Sequence, residues 1–147
     1  MPLNGEYEPS PWSWVRGQVE QFEASGGVQA NTLRDTGLPV VVITTRGRKT
    51  GKLRKTALMR VEHNGEYALV GSQGGAPKDP QWCWNLRSDP TALMVQDGAE
   101  PFDAEAREVS GDERAQWWER CVAAYAPYEE YQQKTDRLIP VFVAHAR

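Results

Sequence analysis

Residues 44–56 read TTRGRKTGKLRKT and set Arg46, Arg48, Lys49, Lys52, Arg54 and Lys55 within ten positions. Guanidinium groups fork onto phosphate or carboxylate oxygens and ammonium groups add point charge, so the stretch has the chemistry of an anion site. The whole chain carries a formal charge of -3, but outside this stretch 11 basic residues face 20 acidic ones, a remainder of -9. A nucleic-acid binder spreads positive charge over a broad face, whereas this remainder repels a polyanion. The pattern points to a small anionic ligand held at one spot and away from nucleic acid. The competing reading is a solvated hairpin whose charges protect an edge strand.

Familiar phosphate loops do not account for the stretch. In Gly47-Arg48-Lys49-Thr50-Gly51-Lys52 only three residues separate the glycines, and Leu53 stands where a P-loop has Ser or Thr. The G-x-G-x-x-G of a dinucleotide fold is missing as well. His63, His145, Cys83 and Cys121 share no spacing that suits a metal, and the cysteines read as buried reduced thiols.

Two further stretches carry chemical possibilities. VGSQGGAPKDPQWCWNL, residues 70–86, offers Gly74 and Gly75 for close backbone approach to a flat ring, with Trp82 and Trp84 behind them. Core packing is the better reading for Trp84, while Trp82 is open to both roles. AYAPYEEYQ places Tyr125, Tyr128 and Tyr131 three residues apart on one helical face, a spacing that more often serves packing than chemistry.

The elements that must position these residues can be read in turn. SPWSWVRGQVEQFEASGG predicts a helix with Ser10 as N-cap, Pro11 at its first position, Gly26 or Gly27 at its end, and Trp12, Val15, Val19 and Phe22 on one face. PVVVITT predicts a strand. The basic segment predicts a turn from Gly47 to Gly51 with Arg48 and Lys49 at its tip, and LRKTALMRVEH a returning strand with Lys52, Arg54 and Thr56 on one face. Asn64-Gly65 then marks a hairpin into EYALVGS, and Asp97-Gly98 joins TALMVQ to the strand around FDAEAREV. DPQWCWNLRSD predicts a short helix capped by Asp79. SGDERAQWWERCVAAYA predicts a longer one capped by Ser110, Pro127 opens a short helical piece, and LIPVFVAHA closes as a strand. Strands joined by tight turns pair antiparallel, so we expect a mainly β, α+β fold: a small antiparallel barrel with two or three peripheral helices. At 147 residues we expect one domain spanning 1–147, with residues 1–27 as a helical segment on or beside the barrel.

Three motifs in this order, T-T-x-G-R-K-[ST]-G-x-x-R, G-S-x-G-G-A-x-K-[ND]-P-x-W-x-x-N-L and Y-x-x-Y-x-x-Y, resemble the deazaflavin-dependent nitroreductases and F420H2-dependent quinone reductases of actinobacteria. The resemblance covers about residues 40–143 and implies a split β-barrel that uses reduced coenzyme F420. It implies that Arg48, Lys49 and Arg54, with Thr50 beside them, meet the coenzyme's phosphate and polyglutamate tail. Lys55, Thr56, Ala57, Leu58 and Met59 would run past the cofactor, Ala57 standing where relatives often have proline. Val70, Gly71, Ser72, Gln73, Gly74 and Gly75 would line the deazaflavin, with Gln81, Trp82 and Asn85 on its other flank. Gln73 replaces a lysine of several relatives, and Lys78 would supply a cation nearby. Tyr125, Tyr128 and Tyr131 would wall the substrate pocket, Tyr128 nearest substrate and Tyr125 the most structural.

The chemistry implied is hydride transfer from the reduced deazaflavin to an electron-poor small molecule: a quinone, an activated enone or a nitroaromatic. Ser72 or Tyr128 would meet the negative charge on the acceptor, and Tyr128 or water would deliver the proton. The rival readings are an FMN-binding split barrel and a non-catalytic F420-binding protein. No apolar run approaches the roughly 20 residues of a membrane span and no signal-peptide layout opens the chain, so a cytoplasmic enzyme is expected. Peripheral association with the inner face of the membrane, to meet a quinone, stands as a second expectation, and the oligomeric state is left open.

Overall fold

A computed structural model describes residues 5–32 and 37–147. Seven strands, β1 (Val40–Arg46), β2 (Leu53–Met59), β3 (Glu62–His63), β4 (Glu66–Val70), β5 (Leu93–Gln96), β6 (Pro101–Glu108) and β7 (Val141–Ala146), form one antiparallel sheet. Their order is β2-β1-β5-β6-β7-β4-β3, so the strands at opposite ends of the sheet are consecutive in the chain. The sheet therefore curls into a half-barrel, as the split-barrel expectation required.

That closure breaks one expected element. LRKTALMRVEH is not a single strand: β2 stops at Met59 and β3 begins at Glu62. At the break the Ala68 N–H bonds the Val61 carbonyl at 2.8 Å, and the Arg60 guanidinium and the Tyr67 hydroxyl converge on Asp97 at 2.8 and 2.7 Å. The chain bends there because it must pass from one end of the sheet to the other.

Strand alternation explains the apolar run of β1. Val40 and Val42 join one core cluster, beneath α1 (Ser13–Ala24) and α3 (Gly111–Ala124), with Val15, Val19, Phe22, Trp117 and Cys121. Val41 and Ile43 join the other, beneath α2 (Gln81–Ser88), with Trp82, Cys83 and Leu86. A strand covered on both faces must be apolar at every position rather than at every second one. The Asn64-Gly65 hairpin forms as read, both residues at positive φ.

The described residues hold four α-helices, including α4 (Pro127–Gln133) with Pro127 in its first turn, where two or three were expected. Three capping expectations need correction. Helix α1 starts at Ser13 with Trp12 in the cap position, and Ser10 instead accepts the Trp12 N–H at 3.2 Å. Trp12 consequently leaves the buried stripe and is 52% exposed, stacked on Trp14. Pro80, not Asp79, precedes α2, and Asp79 is used elsewhere. Ser110 caps α3 by position, but its side chain makes no capping bond. Residues 1–27 are not helical throughout: the described residues 6–8 lie along β2, Leu53 N–H bonding the Glu6 carbonyl at 2.7 Å and Glu8 N–H bonding that of Leu53 at 2.9 Å. Residues 1–4 lie outside the described part.

Candidate active site

A cavity of about 1390 Å³ opens between β2, the start of α1, the loop after β4, α2 and α4. Pockets for drug-sized ligands measure roughly 300–1,000 Å³, so this cavity is larger than one such ligand requires. Strand β2 contributes Arg54, Lys55, Thr56, Ala57, Leu58 and Met59. The end of β4 contributes Val70, the loop after it Ser72, Gln73, Gly74 and Lys78, and α2 contributes Gln81, Trp82 and Asn85. Tyr125, Tyr128 and Tyr131 complete the wall. The sequence motifs, which reach from Arg54 to Tyr131, are thereby brought around one space.

Some expected residues stand elsewhere. Arg48, Lys49 and Thr50 are exposed on the turn and do not line the cavity. Arg48 instead lies 5.7 Å from the Trp84 ring, whose centre also carries Arg87 at 4.6 Å. Trp84 is 43% exposed, so the core-packing expectation for it was wrong: a guanidinium stacks on it where core residues would have been. Gly71 and Gly75 do not line the cavity, and both are packed closely against the protein. A Cβ on Gly71 would meet the Cys83 sulfur at 2.6 Å, and one on Gly75 the Tyr131 carbonyl at 2.8 Å. Of Gly74 and Gly75, Gly74 alone borders the cavity, with open space around it.

The basic cluster is not a bare surface either. Arg54 pairs with Glu8 at 3.0 Å, Lys52 with Glu6 at 3.9 Å and Lys55 with Glu23, all from the N-terminal segment. Arg46 donates to the Gly51 carbonyl at 3.2 Å and thereby closes the turn. Acidic residues far away in sequence thus hold the cations in place.

The tyrosines differ in environment. Tyr125 and Tyr131 share a hydroxyl contact at 3.1 Å, and that hydrogen bond, followed by burial, pushes Tyr131 up to about 12. Tyr128 is 4% exposed between Tyr125, Tyr131 and Trp118. Burial above all, and then Cys121, holds its hydroxyl far above the ordinary tyrosine value. The Tyr128 hydroxyl therefore stays protonated throughout the neutral range. Ser72, 7% exposed, lines the cavity, and its hydroxyl carries no hydrogen bond among the described residues.

Residues that sequence reasoning missed include Trp12 and Trp14 on the cavity wall, Ile43 and Thr45 from β1, and Asp79. The alternation of β1 could have signalled Ile43 and Thr45, which share a face of that strand. Nothing local signals the tryptophans, which reach the cavity only because α1 packs on β2. No group of three or more potential metal ligands occurs among the described residues, and none of their helices is long and apolar enough to cross a membrane.

Residues 14–146 match the F420H(2)-dependent quinone reductase family. An F420H(2)-dependent quinone reductase of Mycobacterium tuberculosis is 32% identical over 112 residues, 74% of each chain. The solved structure of an F420-H2 dependent reductase is 55% identical over 73% of this chain and 94% of its own, with a TM-score of 0.68. A second solved structure, a domain-swapped dimer, is 50% identical over 92% of this chain and all of its own, with a TM-score of 0.71.

Proposed function

This chain belongs to the F420H(2)-dependent quinone reductase family, and from that premise we propose which of its residues hold the cofactor and which meet the acceptor. It is an oxidoreductase that transfers hydride, and reduced coenzyme F420 is its cofactor. FMN and a non-catalytic carrier role are set aside on the same ground.

The cavity suits such a molecule chemically. A flat ring system needs apolar and aromatic walls, which Val70, Met59 and Trp82 provide, and an anionic tail needs cations, which Arg54, Lys55 and Lys78 provide along the same space. That union of an aromatic floor and a cationic wall in one cavity carries the reading. Arg48 and Lys49 stand outside it, so their contribution is to meet the far end of the tail and to attract it by charge. The glutamates that pair the cations are themselves partly exposed. Such pairs are worth about 0.2–1 kcal/mol, little enough for a polyanionic tail to displace.

When bound, the reduced deazaflavin supplies the hydride, and a quinone that accepts it needs one further proton to leave as the quinol. The Ser72 hydroxyl donates a hydrogen bond to the acceptor oxygen on which charge gathers. Tyr128 donates a second one and walls the acceptor with Tyr125 and Tyr131. The further proton comes from Tyr128 or from water, and the Tyr128 hydroxyl stands protonated at neutral pH to donate its hydrogen bond. Quinones are the acceptor class we assign; enones and nitroaromatics share their electron-poor character and are candidates on the same geometry.

Fluorescence titration with oxidised F420, with FMN as competitor, tests the reading. Arg54→Ala is expected to weaken F420 binding roughly tenfold, the loss of one charge-assisted contact, and Arg48→Ala/Lys49→Ala to weaken it mainly at low salt. Binding that Arg54→Ala leaves intact, or displacement by FMN, would contradict it.

A further inference from the structure

Arg137 belongs to none of the three motifs, yet its side chain is the most heavily used donor in the described structure. It stands in the connection between α4 and β7, and its side chain is 14% exposed. Its Nε donates to the Ala76 carbonyl at 2.8 Å, Nη2 to the Ser72 carbonyl at 2.9 Å, and Nη1 to the Gly71 carbonyl at 3.1 Å and to Asp79 Oδ1 at 2.8 Å. Three of these acceptors are backbone carbonyls of the one loop that carries Ser72 into the cavity.

The loop does not hold its shape by local preference. Gln73, Gly74 and Gly75 follow one another at φ of 44, 66 and 83. Gln73, which has a Cβ, is disfavoured in that left-handed region, and such conformations persist only where the surroundings impose them. Arg137 is what the surroundings supply: its planar fork collects carbonyls from both ends of the turn. Asp79 anchors the fork in its turn, with its other oxygen on Arg87 at 2.9 Å, and Arg87 makes a two-pronged pair with Glu108 of β6 at 2.8 Å per arm. The clamp is thereby tied to the sheet.

We propose that Arg137 is a positioning residue for the reduction: by binding the carbonyls of Gly71, Ser72 and Ala76 it fixes the loop so that the Ser72 hydroxyl meets the acceptor. This rests on the reading of the cavity given under Proposed function. A lysine in its place offers a point charge that can satisfy Asp79 and one carbonyl, but not acceptors spread across a fork.

A double-mutant cycle in steady-state turnover tests it, with reduced F420 as donor and menadione as acceptor, at a temperature well below each variant's melting point. Arg137→Gln is expected to lower kcat roughly tenfold to a hundredfold, the scale on which a small misplacement acts, with the menadione KM changing by less than about threefold. In a Ser72→Ala background the same substitution is expected to cost less than about threefold, since the hydroxyl it positions is gone. Arg137→Lys is expected to fall between, and carries the same cycle should the glutamine variant not fold. Equal losses in both backgrounds, or a Ser72→Ala enzyme with the wild-type kcat, would overturn the positioning role while leaving the functional reading intact. A wild-type protein that neither binds F420 nor turns over menadione would overturn the functional reading beneath it.

Discussion

Asn85 Oδ1, buried in α2, accepts the backbone N–H of Arg48 at 3.1 Å, while its Nδ2 donates to Thr45 Oγ1 at 3.1 Å. One amide thus ties the basic turn and β1 to the helix that carries Trp82. Asn85 borders the cavity, but both ends of its side chain are committed within the protein. Asn85→Ala leaves the Thr45 hydroxyl buried without its partner and the Arg48 N–H unbonded. We expect a stability loss of about 1–3 kcal/mol, read by urea denaturation, with weaker F420 binding as the turn loosens. Unchanged stability would show that the tie carries no weight.

Glu8 covers Arg54, and the two side chains are 35% and 39% exposed in the order Arg54, Glu8. Replacing Glu8 by Gln uncovers a cation that the cofactor's anionic tail otherwise has to share. F420 binding is expected to tighten about two- to fivefold at low ionic strength, and the gain to fade as salt screens the site. Weaker binding in Glu8→Gln would mean instead that Glu8 holds Arg54 in its productive place.

Tyr128 ties stability to alkaline pH. Its folded pKa is raised above the ordinary 10.0 by burial, so the unfolded chain ionises first. The stability it contributes is intact below that value and is lost as pH climbs through the window above it. The expected slope is about 1.4 kcal/mol per pH unit for each such tyrosine, and Tyr67 and Tyr131, both pushed up to about 12, act in the same direction. Denaturation of wild type and Tyr128→Phe over this range checks it: the variant should lose stability less steeply. Parallel curves would place the Tyr128 hydroxyl in water.

Gly75 and Gly74 share positive φ but not surroundings. Gly74→Ala meets open space and should cost only the left-handed backbone, about 1–2 kcal/mol. Gly75→Ala adds a collision with the Tyr131 carbonyl at 2.8 Å and should cost more, dislodging α4 with its tyrosines. Melting curves of the two variants rank them, and equal losses would deny the contact.

The sequence by itself was enough for what acts over a few residues. The β-branched run of β1, the Asn64-Gly65 turn and Pro127 at the start of α4 each express local backbone geometry or periodicity, and each appears as read. The tyrosines do not share one helical face, because Tyr125 is an extended residue at the end of α3 and only Tyr128 and Tyr131 lie on α4. The motif set also sufficed to name the family, because those spacings record a whole site at once. The tertiary structure alone decided which side chains face one another across long separations. It put Glu8 on Arg54, Asn85 on the Arg48 amide, Arg48 on Trp84, and Arg137 on a loop some 60 positions earlier. It also stopped β2 at Met59 and packed Gly71 against Cys83 and Gly75 against Tyr131. A guanidinium chooses among distant carboxylates, carbonyls and rings only after the sheet has curled and brought them within about 3–6 Å, the reach of hydrogen bonds and ring contacts, and no local preference encodes that choice.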